Sequence, residues 1–423
     1  MNQDHRHLCS DSASTVNRKA ESLTTDGTIV LPLSDKDFST RDSSPAIQIT
    51  APHESRMGSV EAPAQVGFAE EIGVGTERRE CGAEATGKIG RKNVDRPEDD
   101  RWIESMRNAV RSAGELRRLL RIDVKSGETD GRDSDFGFPV FVPREFAARM
   151  RVGDSNDPLL RQVLPVNSEG VEVAGFGADP VGDLQANVAP GVLHKYSGRA
   201  LVVTTGACGI HCRYCFRRTF PYNEAGSRRD AYEPTIEYLR QRSDVEEVIL
   251  SGGDPLTMTD AAIDSLLEKI ESVGHVRRLR IHSRMPIVIP SRVNAFLIER
   301  LRRSRLTAWM VVHCNHAAEI DEETAEAMAR MVDAGIPVLN QSVLLRGVND
   351  DAETLEALSR ALMECRVMPY YLHQLDRVSG ASHFEVAADR GRELIEQLES
   401  RLPGFAVPRY VAEIAGEKSK TRL

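Results

Sequence analysis

A rhythm that begins near Tyr196 restricts this chain more than any other feature. Apolar, β-branched runs recur at 200–205, 247–250, 279–282, 308–313, 338–345 and 370–374. Helical patterns separate them, at about 230–242, 259–272, 292–304, 319–334, 352–365 and 386–401. Strands spaced this way by helices predict βαβ units and a parallel sheet, because a parallel neighbour requires a crossover long enough to hold a helix. Six such units predict an α/β fold of the partial (β/α)6 barrel type rather than a closed eight-fold barrel. Chemistry in such folds belongs at the C-terminal ends of the strands, so the residues just beyond each run are the candidates.

Upstream the pattern differs. Residues 103–122 read as one amphipathic helix, with Ile103, Met106, Val110, Leu116, Leu119 and Leu120 near helical spacing. A Pro-punctuated stretch follows at 136–143, then a short helix at 144–150 and a turn at 153–158 leading into another. Before Trp102, the only aromatic residues are Phe38 and Phe68. Such a segment has too little apolar surface to offset its ordering entropy, so residues 1–100 are expected to be a disordered tail, with Cys9 and Cys81 as bystander thiols. A regulatory or docking role for the tail is the less favoured alternative. The expected division is therefore a tail at 1–100, a helical region at 101–195 packing on the barrel, and the barrel with a C-terminal lysine segment at 196–423.

The formal net charge of −9 in 423 residues argues against a phosphate-backbone ligand, whose footprint is basic. No apolar run is long enough to span a membrane, and the N-terminus lacks a secretory signal pattern. A cytoplasmic protein is expected, with neither nucleic acid nor membrane as partner.

Three of the seven cysteines fall in Cys208-Gly209-Ile210-His211-Cys212-Arg213-Tyr214-Cys215, directly after the first strand of the repeat. In an intracellular chain such clustering points to a metal before a disulfide. Three thiolates from one loop can hold three corners of a [4Fe–4S] cube and leave the fourth iron open to a small molecule. Structural zinc is the competing reading, but no second cysteine knuckle exists and His211 lies between two of the thiols. A non-catalytic zinc module and a simple electron carrier are thus the alternatives outside catalysis.

The Cys-x3-Cys-x2-Cys loop after the first barrel strand resembles the radical S-adenosylmethionine superfamily. Phe216-Arg217-Arg218 and Phe220-Pro221-Tyr222 narrow the likeness to the lysine 2,3-aminomutase family, over roughly residues 102–423. Within that family the chain most resembles the branch that makes β-lysine for elongation factor P. Further motifs carry the likeness: 193–199 (Leu-His-Lys-Tyr-Ser-Gly-Arg), 251–256 (Ser-Gly-Gly-Asp-Pro-Leu), 371–376 (Tyr-Leu-His-Gln-Leu-Asp) and 416–421 (Gly-Glu-Lys-Ser-Lys-Thr).

The resemblance implies an isomerase that moves the α-amino group of L-lysine to the β carbon. It implies a [4Fe–4S] cluster on Cys208, Cys212 and Cys215, with S-adenosyl-L-methionine beside Ser251, Gly252, Gly253 and Asp254. It also implies pyridoxal 5'-phosphate held through Lys420, whose Ser-Lys-Thr context matches the family where Lys418 does not, and by Lys195 and Arg199 at the phosphate. Arg217 matches the family's ligand for the substrate carboxylate, and Asp376 and Glu413 match the two acids for the substrate ammonium. The family's free-lysine enzymes commonly carry Asp at the second of these positions, so Glu413 favours the elongation-factor branch. The short stretch after Lys420 points the same way. Expected partners are a flavodoxin- or ferredoxin-like one-electron reductant and an elongation factor P lysyl-ligase that takes the product, with homo-oligomer formation left open. A metabolic aminomutase making free β-lysine keeps the chemistry and changes the purpose. His313, Asn315 and the segment 341–350 resemble the family without an assigned role.

Overall fold

The computed structural model describes residues 101–123, 136–222 and 232–423. The expected tail, with Cys9 and Cys81, lies outside them. Ten strands form one sheet in chain order. Two short strands come first, β1 (Asn187–Ala189) and β2 (Val192–Tyr196). The six apolar runs then form β3 (Arg199–Thr205), β4 (Glu247–Gly252), β5 (Arg278–Ser283), β6 (Thr307–Val312), β7 (Val338–Val343) and β8 (Met368–His373). β9 (Arg409–Ala412) and β10 (Thr421–Arg422) complete the sheet.

The pairs from β3 to β8 are parallel, as the crossover spacing requires. The sheet then exceeds the expectation of six, because β9 adds a seventh parallel strand through Tyr371↔Arg409 and Leu372↔Tyr410. Its four residues begin with an exposed arginine, so no apolar run marks it in the sequence. β1 and β2 extend the β3 edge antiparallel, and β10 folds back antiparallel on β9.

The helices follow their periodicity. Asp260–Glu271 buries Ile263, Leu266, Leu267 and Ile270, one stripe at helical spacing, and Thr259 caps it by accepting from the Ala262 amide. Each such side chain, fully buried, contributes about 1.5–3 kcal/mol against the unfolded chain. The single helix expected at 103–122 is two, Arg101–Arg107 and Ala113–Leu120. Between them Val110 forms an antiparallel bridge with Val142, and Ser112 starts the second helix by accepting from the Glu115 amide at 3.2 Å. The heptad-like apolar spacing hid both the bridge and the cap.

Alternate residues of successive strands line a single cavity: Leu201, Ile249, His282, Trp309, Gln341, His373 and Val411 among them. Side chains on one face of a flat sheet point in parallel, so strands β3 to β9 reach one space only because the sheet curls around it. That curl is what brings distant sequence positions into one site.

Candidate active site

The cavity measures about 1080 Å³. At one end the loop after β3 presents Cys208, Cys212 and Cys215. Its backbone is held from both sides. Gly253 and Asp254 donate their amides to the Thr205 and Ala207 carbonyls at 2.7 Å each, and the Arg213 amide donates to the Gln162 carbonyl at 2.8 Å. Two glycines are required here by close approach. A Cβ on Gly253 would collide with the Ala207 carbonyl, and one on Gly209 would strike Met285 Sδ. His211 does not line the cavity. Its ring stacks on Phe138 at 4.9 Å and its Nδ1 bonds the Pro139 carbonyl at 2.7 Å.

Burial and neighbouring thiols push the Cys208 thiol well up, and the Cys215 thiol to about 11. Without a positive partner these groups stay protonated, so a metal centre is what converts them into thiolate ligands. Among the described residues no three His, Cys, Asp or Glu side chains are grouped around a single ion.

Behind the cysteines lies a buried polar network. Arg284 donates to Cys212 Sγ at 2.8 Å, to Tyr214 Oη at 2.8 Å, to Gln162 Oε1 at 2.7 Å and to Glu319 Oε2 at 2.8 Å. Asn315 ties into the same group through Tyr214 Oη at 2.7 Å. His313 meets Tyr214 Oη at 2.8 Å, and burial followed by Arg284 holds it down at about 3, hence neutral. Arg213 and Arg218 both pair with Glu169.

Ser251, Gly252, Gly253 and Asp254 also line the cavity. The Asp254 carboxylate, however, faces into the protein. It accepts from the amides of Leu256 (3.0 Å), Arg284 (2.7 Å) and Met285 (3.2 Å) and from Ser283 Oγ (2.7 Å). It therefore clasps the end of β4 to the end of β5, and the part of this motif left for a bound molecule is Ser251 and the glycine backbone.

Further along the wall runs a chain of alternating charges. Arg217 Nε donates to Asp183 Oδ2 at 2.7 Å, and Lys195 Nζ pairs with Asp183 Oδ1 at 2.6 Å. Lys195 also reaches Glu413 Oε1 at 3.4 Å, and Lys420 Nζ pairs with Glu413 Oε2 at 2.5 Å. Tyr196 Oη donates to Glu413 at 2.7 Å. Burial raises the Asp183 carboxyl, but Arg217 and Lys195 outweigh it and hold the group below its ordinary range. Burial likewise opposes Glu413, and Lys420, Tyr196 and Lys195 overcome it, holding that acid at about 2.

Asp376 behaves differently. Among the described residues no hydrogen bond or ion pair reaches its carboxylate, and burial pushes it up to about 7. His282 and His373, also on the cavity wall, are lowered well below the usual histidine range by burial and add no charge. Lys418 is exposed and does not line the cavity, whereas Lys420 is 26% exposed and does. Arg199 lies over the Tyr196 ring at 4.5 Å.

All thirteen residues to which the resemblance gave a cofactor or substrate role thus line one cavity. Sequence reasoning missed Asp183, Tyr196 and Arg284. Asp183 stands in an aperiodic stretch before β1 with no local signal, and Tyr196 was quoted within a motif without a role.

A family model for the radical SAM superfamily matches residues 202–358. The chain is 46% identical over 327 residues to the L-lysine 2,3-aminomutase of Escherichia coli (strain K12), covering 77% of this chain and 95% of that protein. It is 40% identical over 324 residues to the enzyme of the same name from Haemophilus influenzae, covering 77% and 96%. Against that of Clostridium subterminale it is 32% identical over 331 residues, covering 78% and 79%.

Proposed function

The chain belongs to the L-lysine 2,3-aminomutases of the radical SAM superfamily, and on that premise we propose that it converts L-lysine to β-lysine in this cavity, as an isomerase serving elongation factor P. Its cofactors are a [4Fe–4S] cluster, S-adenosyl-L-methionine and pyridoxal 5'-phosphate. When bound, they supply a carbon radical from S-adenosylmethionine and a carbonyl that takes up the migrating amine.

The residues present fit these groups. Three thiols presented by one loop suit a cluster, and the Ser251–Gly253 backbone beside them suits S-adenosylmethionine. An amine aimed into the cavity, Lys420, suits the carbonyl, and Lys195 and Arg199 suit its phosphate.

The chain's own residues then bind, orient and exclude water. Asp183 fixes Arg217 through Nε, and Ser251 Oγ lies 3.3 Å from Nη1, so the guanidinium is held rigid for the lysine carboxylate. Asp376 and Glu413 take the substrate ammonium at the other end. A cation beside Asp376 lowers its raised carboxyl back into the ionised range, so substrate and acid stabilise each other. Glu413 can give up Lys420 for the incoming ammonium without losing a counter-charge. The walls of Leu201, Ile249, Trp309, Leu339 and Val343 keep water from the reacting carbons.

The single observation that carries the reading is that the thiol end and the Lys420 end share one cavity. Anaerobic incubation with L-lysine, S-adenosylmethionine and a strong one-electron reductant should yield β-lysine by product analysis; unchanged lysine would refute it. Glu413 supports the elongation-factor branch, with the product passed to a lysyl-ligase. Deleting the gene should remove the β-lysyl mass from elongation factor P, and an unaltered mass would point to a metabolic role instead.

A further inference from the structure

A second cavity of about 760 Å³ lies against the first, and the two share Leu375, Asp376 and Glu413. These three residues are the partition between them. The side cavity opens to solvent past the exposed Gly175, Ala387 and Ile414. Its walls carry four acids, Asp179, Asp376, Glu385 and Glu413, against two bases, Arg346 and Arg377. Arg377 and Glu385 pair with each other at 2.7 Å, and Lys195 and Lys420 meet Glu413 from the main cavity, so Asp179 and Asp376 are the acids left against Arg346.

The main cavity reaches solvent elsewhere with the opposite sign. Toward the N-terminal ends of the parallel strands it is lined by Arg199, Arg278, Arg280 and Arg409, with Arg422 from the antiparallel β10, and Arg409 and Arg422 are exposed. Arg280 pairs with Glu247 and Arg278 with Glu246, which leaves Arg199, Arg409 and Arg422 as the excess charge. Free lysine is a net cation at neutral pH. Charges steer such a molecule over about a Debye length, roughly 8 Å at physiological salt, so the arginine rim repels it and the side cavity attracts it.

We propose that L-lysine reaches the active site through the side cavity, and that the Asp376–Glu413 partition is its gate, where the trailing ammonium comes to rest. The inference rests on lysine being the substrate. It adds a second task for the two acids and leaves the arginine-rimmed opening to anionic molecules.

Gly177 offers a way to close the passage. Its amide donates to the Arg377 carbonyl at 2.9 Å and its carbonyl accepts from the Ser379 amide at 2.9 Å, so the backbone is fixed. A Cβ there meets no atom within 4 Å, and its φ is not left-handed. A large side chain at this position therefore fills the side cavity without backbone strain. Ile414→Trp fills it from a second, exposed lining position and serves if Gly177→Trp fails to fold.

The test mixes L-lysine with the reconstituted holoenzyme in a stopped-flow instrument and follows the visible absorbance. Blocking a route slows entering and leaving equally, and leaves the equilibrium alone. In Gly177→Trp, association and release should each slow by about tenfold or more, with Kd within about twofold of wild type and Gly177→Ala behaving as wild type. Raising the salt should slow association in wild type. Wild-type rates in both Trp variants would overturn the proposal. So would a weakened Kd at unchanged association rate, since the side cavity would then hold substrate rather than pass it. If wild-type holoenzyme neither binds nor rearranges lysine, the aminomutase reading fails instead, and the two failures are told apart by the wild-type trace alone.

Discussion

The two ends of the cavity are built on different principles. At the cysteine end, three side chains of one chemical kind come from eight consecutive residues, and the fold only has to present their loop. At the lysine end, Arg217, Asp183, Lys195, Glu413 and Lys420 form one run of opposite charges although Lys195 and Glu413 are 218 residues apart in sequence. At the first end, burial pushes the Cys208 and Cys215 thiols up and keeps them neutral. The second already pairs its own charges, three cations against two acids, with Asp376 outside the run. A site for a metal cluster can be local because the metal supplies the cohesion, whereas a site for a zwitterion must be assembled from several strands.

The largest effect should come from the local end. Cys208→Ala, Cys212→Ala and Cys215→Ala are each expected to abolish the visible absorbance of anaerobically purified protein and all turnover. Cys314→Ala and Cys365→Ala, on buried thiols outside the loop, should keep both. Iron loss from Cys314→Ala would break the contrast, because the cluster end would then also be assembled from afar.

Next in size is Lys420→Ala, which should lose lysine rearrangement and the adduct trapped by borohydride while leaving the cluster absorbance intact. Lys418→Ala should retain the adduct and most activity, since that side chain is exposed and away from the cavity. An adduct that survives in Lys420→Ala and disappears in Lys418→Ala would move the attachment point.

Asp376 sharpens the comparison through stability. Its carboxyl is raised from 3.8 to about 7 by burial, so unfolding releases a proton between those values and wild type loses stability as pH rises through that window. Asp376→Asn removes the loss. Thermal melts of the ligand-free protein should show the variant more stable at pH 8, on the order of 4 kcal/mol, and equal to wild type near pH 4. A variant less stable at pH 8 would mean that Asp376 is partnered after all.

The smallest effect is expected from removing residues 1–98, which deletes no member of either end. Turnover by the truncated and full-length proteins should agree within about twofold. A large drop would add a third region to a site drawn here with two.

Much of this molecule was legible in order of residue number. The six apolar runs and the helices between them follow from side-chain periods of 2 and 3.6, which are properties of a few neighbouring residues. The cysteine loop was legible for the same reason, and the family likeness carried Lys420, Arg217, Asp376 and Glu413 onto their positions. The curl of the sheet settled the rest. It made β9 a seventh parallel strand, turned the Asp254 carboxylate inward, and set Asp183 between Arg217 and Lys195. Asp376 and Glu413 are both strand-end acids in the sequence, yet one sits at about 7 and the other at about 2. A side chain's charge is set by what desolvates it and what cations lie within a few ångströms. Those neighbours come from β2, the end of β9 and the C-terminal segment, and only the curled sheet brings them together.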